Sequence, residues 1–154
     1  MEAHTLGTTE IQTQAVTPSA SDRQWAASAH LLALLLALMT AWMAGVAGIV
    51  GAGIVYLIKR DDSPFATEHA REAINFNLSM LLYSVAAVAL GIGLAGATVL
   101  TLGIGLIVTA PAGLLLMAIA AGIAVMWLVC SVVAAIKAWN GEHYRYPLTL
   151  RLIS

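Results

Sequence analysis

The chain has 154 residues, of which 60% are hydrophobic and 10% charged, with seven Lys and Arg against eight Asp and Glu and a formal net charge of −1. Soluble domains carry about 25% charged residues, so composition excludes a water-exposed globule and points to one membrane domain. Nucleic acid is excluded as a partner, because binding phosphate backbones needs clustered Lys and Arg and the seven here are scattered.

Residues 1–24, MEAHTLGTTEIQTQAVTPSASDRQ, are rich in Thr, Ser and Gln and lack hydrophobic period and early basic residues. They read as a disordered tail and not as a cleavable signal, which would open on a basic region and pass into an apolar run. Residues 25–153 form the membrane domain. From Ala26 to Ile58 there is no Asp, Glu, Lys or Arg, and one helix of that length would run ~50 Å against a hydrocarbon layer of ~30 Å. A break near residues 42–46, where Trp42 is followed by Gly45, Gly48, Gly51 and Gly53, divides it into spans over about 26–41 and 46–58. The stretch from Ala73 to Ile136 is again free of charge and accommodates spans over about 73–96 and 112–137. Their connector, ATVLTLGIGLIVTAPAG, is apolar enough to dip into the membrane, and Pro111 suits the first turn of the last helix. Cys130, alone in its apolar run, reads as a small buried hydrophobe, with no disulfide framework or thiolate metal site. Small residues recur four apart at Ala44 and Gly48, Ala47 and Gly51, Gly91 and Ala95, and Ala118 and Gly122, a spacing that lets helix backbones approach closely. With four spans, Arg23, Lys59, Arg60, Arg71, Lys137, Arg145 and Arg151 all gather at one end, which the positive-inside rule makes cytoplasmic. The predicted fold class is all-α, a polytopic membrane helical bundle with four transmembrane helices in the cell membrane and both termini on the cytoplasmic side.

The polar chemistry is concentrated in DDSPFATEHAREAINFN, residues 61–77. Ser63 can cap a helix and Pro64 suits its first position, so a helix starts there and continues into the third span. At about 100° per residue, Glu68, Glu72, Asn75 and Ser79 share one face, Arg71 lies at its edge and Asn77 points the opposite way. Asn75 and Ser79 enter hydrocarbon and need partners within the bundle. At the far end, AIKAWNGEHYRYPLTLRLIS closes the last helix on an Asn-Gly stop, Asn140 before a left-handed Gly141, and sets Trp139, Tyr144 and Tyr146 at headgroup level. The alternating LTLRLI beyond it suits the membrane interface or pairing with another chain. Because the third helix starts where the fourth ends, Glu68 and Glu72 are expected to face Lys137 or Arg145, and Arg71 to face Glu142. The candidate polar face or docking surface is therefore Glu68, His69, Arg71, Glu72, Asn75, Ser79, Lys137, Asn140, Glu142, Tyr144 and Arg145. His69 and His143 each follow a glutamate but lack the further ligands of a metal site, and His30 reads as a hydrogen-bonded interface histidine. No paired nucleophile and base and no glycine-rich turn after a strand occurs, so neither a catalytic residue nor a cofactor is expected.

The two motifs, DDSPFATEHAREAINFN and AAIKAWNGEHYRYPL, together resemble a group of small bacterial and archaeal membrane proteins classed as similar to the twenty-kilodalton subunit of the chloroplast inner-envelope translocon (Tic). The resemblance covers about residues 25–153 and rests on Ser63, Pro64, Phe65, Glu68, His69, Glu72, Asn75 and Phe76, with Ala135, Ile136, Lys137, Asn140, Gly141, Glu142, Tyr144, Tyr146 and Pro147. It implies a four-helix membrane domain with both termini on one side and no catalytic role; AWMAGVAGIVG departs from the Pro-Gly-Gly or Asn-rich first turn of relatives. The leading expectation is a non-enzymatic scaffold or translocation-associated subunit contacting lipid, other membrane proteins or itself. The alternative is a small transporter or channel with a polar path near Glu72, Asn75 and Ser79.

Overall fold

The computed structural model describes residues 17–40 and 44–153. It contains α1 (Ala20–Thr40), α2 (Ala44–Lys59), α3 (Pro64–Leu100) and α4 (Leu106–Trp139), with no strand among the described residues. Residues 1–16 of the expected polar tail and residues 41–43 of the expected first turn lie outside the described part, while the end of that tail, from Ala20 on, is already helix. A reciprocal cap starts α1: the Asp22 N–H donates to Ser19 Oγ and the Ser19 N–H to Asp22 Oδ2, both at 3.1 Å, using amides that a helix start otherwise leaves unpaired. α3 opens on Pro64, with Ser63 Oγ accepting from the Ala66 N–H at 3.2 Å. α4 closes on Gly141 at φ 80, where the Glu142 N–H reaches Lys137 O at 2.9 Å and the Gly141 N–H reaches Ala138 O at 3.0 Å, a Schellman motif.

The 37 residues of α3 and 34 of α4 extend ~55 and ~51 Å at ~1.5 Å per residue, and both helices are long and apolar enough to cross a membrane. α1 and α2 do not meet that test. The first turn of α1 carries Asp22 and Arg23, and the 16 residues of α2 reach only ~24 Å against a hydrocarbon layer of ~30 Å. The expectation of four spanning helices is therefore corrected to four helices, two of which have the length and composition of a span. The expected spans over 73–96 and 112–137 are interiors of longer helices, because the capped polar residues before Ala73 and most of the apolar connector also wind as helix. What remains of the connector is the turn 101–105, with Leu102 at φ 52 and Gly103 at φ 88. The Thr98 and Thr109 hydroxyls bridge its two sides at 2.6 Å. Pro111 lies inside α4 and not in its first turn.

α1 and α3 each pack on the three other helices, whereas α2 and α4 do not meet. Alanine dominates the shared core: Ala26, Ala29, Ala66, Ala70, Ala73 and Ala138 are all fully buried, which lets backbones approach and gain van der Waals contact. In α2, Gly48 and Gly51 mark real contacts. A Cβ on Gly51 would lie 2.9 Å from the Ala33 backbone N, and one on Gly48 would lie 2.2 Å from Asn77 Oδ1. Gly91 and Gly122 face open space, so the equivalent spacings in α3 and α4 mark no contact. Farther along, α3 and α4 expose Val85, Val88, Ile92, Leu115 and Val125, an apolar surface suited to lipid.

Candidate functional site

The polar face of α3 is covered by the chain's own C-terminal residues. After the Gly141 stop the chain runs back along α3, with His143 beside Glu68 and the Tyr146 ring stacked on Phe76 at 3.9 Å. It turns at Pro147 and at Leu148, whose φ is 55, and returns toward the polar end. The deepest contact joins the Tyr83 hydroxyl to Leu148 O at 2.8 Å, which lies ~22 Å along α3 from Glu68 at ~1.5 Å per residue. On the way back, the Leu150 N–H donates to Ser79 Oγ at 2.9 Å. Asn75 Oδ1 accepts from the N–H groups of Leu152 at 3.1 Å and Ile153 at 2.9 Å, and Asn75 Nδ2 donates to Ile153 O at 2.9 Å. Arg151 Nε then meets Glu72 Oε1 at 3.2 Å. Non-helical backbone at membrane depth needs its N–H and C=O groups satisfied by protein. Tyr83, Ser79 and Asn75 do that for the Leu148 and Ile153 carbonyls and the Leu150, Leu152 and Ile153 N–H groups, so the partners these polar side chains require are main-chain groups of the same chain.

A second polar chain runs through the core beside this strap. Tyr146 Oη and His30 Nδ1 are 2.9 Å apart, and His30 Nε2 and His69 Nδ1 are also 2.9 Å apart. His30 and His69 are each 1% exposed; both ring nitrogens of His30 are thus partnered, as buried polar groups require, whereas His69 Nε2 is buried without a partner among the described residues. His69 then stacks on His143 with ring centroids 6.2 Å apart, and His143 Nδ1 lies 3.2 Å from Glu68 Oε2 at the surface. Among the described residues no group of three or more His, Cys, Asp or Glu is arranged to hold a metal ion.

The structure brings Glu68, His69, Glu72, Asn75 and Ser79 against the C-terminal strap, but with partners other than those expected. Glu68 pairs with His143 and Glu72 with Arg151, while Lys137 pairs locally with Glu142. Lys137 and Arg145 therefore do not serve Glu68 and Glu72, and Arg71 stands over the Tyr56 ring at 6.0 Å instead of meeting Glu142. Asn140 is the exposed C-cap of α4. Tyr144 packs edge-on against Tyr146 at 5.2 Å, and the exposed Arg145 borders a cavity with Arg71. Asn77, expected on the opposite face from Asn75, does point away from it yet is 3% exposed: its amide donates to Ala73 O at 2.9 Å and accepts from Trp127 Nε1 at 3.3 Å. Sequence reasoning missed Arg151, Tyr83 and the Tyr146 hydroxyl. The signal available for Arg151 was a lone charge in the apolar run LTLRLI, which docks on α3 of its own chain.

A family model described as the magnetosome magnetite crystal formation protein family matches residues 21–153. No curated protein and no solved structure matches the chain. The likeness to a chloroplast translocon subunit that the two motifs suggested is not shown.

Proposed function

The chain belongs to the magnetosome magnetite crystal formation protein family, and on that premise we propose that it is a non-enzymatic membrane scaffold for crystal formation, working through its polar end. The observation that carries this reading is the C-terminal strap. Asn75 and Ser79, the side chains a polar path would need, are committed to the main chain of residues 150–153, which favours a structural role over a transporter or channel. α3 and α4 anchor the scaffold in the membrane, with α1 and α2 packed against them. The seven Lys and Arg set the termini and the turn between α2 and α3 on the cytoplasmic side. Docking on other membrane proteins of the same assembly is the means by which it acts.

The test is deletion of the coding sequence, followed by restoration with the wild type or with an Asn75→Leu, Ser79→Ala variant. Crystal size or number, measured by electron microscopy, should change on deletion, return with the wild type and stay changed with the variant. Proteoliposomes of the wild type should carry no ion or solute flux above empty vesicles. Unchanged crystals, or a flux lost in the variant, would replace the scaffold by the transport reading or by neither.

A further inference from the structure

Between the start of α3 and the returning strap lies a cavity of about 520 Å³, bordered by Arg60, Arg71, Arg145 and Arg151 with Glu68 and Glu72. Four guanidinium groups thus stand against two carboxylates. Both carboxylates already have cationic or ionisable partners, Glu68 with His143 and Glu72 with Arg151. Arg60 reaches Asp61, outside the cavity wall. The Nε of Arg71 is buried with no hydrogen-bond partner, and Arg145 makes no ion pair among the described residues. Among the described residues the walls therefore hold two guanidinium groups without an ion-pair partner, Arg71 resting only against the Tyr56 ring, in a partly enclosed space. A guanidinium presents a planar fork of donors that matches phosphate oxygens.

The position of the cavity narrows the ligand. The turn before it carries Lys59, Arg60, Asp61 and Asp62, while Leu57 and Ile58 just above that turn and Trp139 at the same end of α4 are exposed apolar residues. The cavity thus opens where exposed surface changes from charged to apolar, the depth of lipid headgroups, and basic pockets between membrane helices on that side suit anionic headgroups. One further atom is informative: Glu72 Oε2 is buried without a partner. A carboxylate oxygen beside a bound phosphate requires a donor, and a hydroxylated headgroup supplies one.

We propose that this cavity binds the phosphate of an anionic phospholipid with a hydroxyl-bearing headgroup. Arg71 and Arg145 donate to the phosphate oxygens, and a headgroup hydroxyl donates to Glu72 Oε2. The strap closes one wall, so lipid binding and the docked C-terminus support each other. This rests on the membrane reading of α3 and α4.

The experiment uses the full chain in nanodiscs of phosphatidylcholine with a minority of phosphatidylglycerol, followed by extraction in mild detergent and mass spectrometry of the retained lipid. Phosphatidylglycerol should be enriched over the starting mixture by on the order of tenfold. Arg71→Gln with Arg145→Gln should abolish the enrichment. Arg71→Lys with Arg145→Lys should restore part of it, and Arg23→Gln with Lys137→Gln, which removes the same charge from the same end, should leave it unchanged. If the double glutamine variant is not monodisperse, Arg145→Gln alone, at an exposed side chain, carries the comparison. Inorganic phosphate added to the wild type separates the sources: thermal stabilisation by phosphate with no preference among lipids would make this a free-anion site and overturn the lipid assignment. Equal retention of both lipids, or an equal loss in the control pair, would overturn it as well. A chain recovered in water without detergent would instead sink the membrane reading itself.

Discussion

Asn75 makes three hydrogen bonds with the main chain of Leu152 and Ile153, whereas Asn77, two residues on, makes one within its own helix and one with Trp127. Polar contacts of this kind in membranes average ~0.6 kcal/mol, so Asn75→Leu, which loses three, should cost about 2 kcal/mol and Asn77→Leu, which loses two, about 1. Thermal aggregation in detergent would rank them, and hydrogen exchange should rise over residues 148–153 in the Asn75 variant alone. The reverse order would mean that the strap is not held as drawn. The helical period made Asn75 and Ser79 legible as polar side chains in need of partners. It left open what satisfies them, because a period describes one helix and carries no information about a strap 70 or more residues away. It also misjudged the surroundings of Asn77. At this level α3 is enclosed on both sides, by α2 at Gly48 and by α4 at Trp127, so the face opposite Asn75 is buried too.

Among the elements, α2 shows most plainly how close approach is built. Any side chain at Gly51 meets the backbone of α1 at Ala33, and backbone does not move aside as a side-chain tip does. Gly51→Val should therefore separate α1 from α2 and cost about 1–3 kcal/mol, the range for overpacking. Gly91→Val, in open space within α3, is the matched control and should change the melting temperature little. Equal effects would show that both reflect helix propensity and not contact. The four helices were readable from charge-free runs and caps, and Ser63 with Pro64 marked the start of α3 in advance. The continuation of that helix through residues 64–72 into the third span was legible as well, with polar side chains turned toward the strap and the cavity. The far end of α3 and the start of α4 were not. The Thr and Gly residues of 97–111 suggested a long connector, but backbone bonds and the Thr98 to Thr109 bridge hold all except 101–105 in helix.

For the whole molecule the decisive asymmetry is depth. α3 and α4 outrun α1 and α2 by ~20 Å or more at ~1.5 Å per residue, so the tip at Leu102 stands far beyond the four-helix part. If the long pair crosses the membrane, single cysteines at Leu102 and at Ser63, each in a Cys130→Ser background, should react with an impermeant maleimide from opposite sides of sealed vesicles. Ser63 is buried, so Asp61→Cys at the exposed turn serves as its check. Labelling of Leu102→Cys and Asp61→Cys from the same side would exclude a single crossing by each long helix.

The covering of α3 by the C-terminal strap also sets an order of events during synthesis. Asn75 and its partner Leu152 are 77 positions apart, and at roughly 5–20 residues per second the ribosome leaves a gap of several seconds between them. For that time α3 carries the Asn75 amide and the Glu72 carboxylate without the mates that the strap supplies, and the Ser79 hydroxyl has only its own helix's Asn75 O. A chain made only as far as α4 is therefore distinguishable from one that carries residues 148–153 by an open polar face alone.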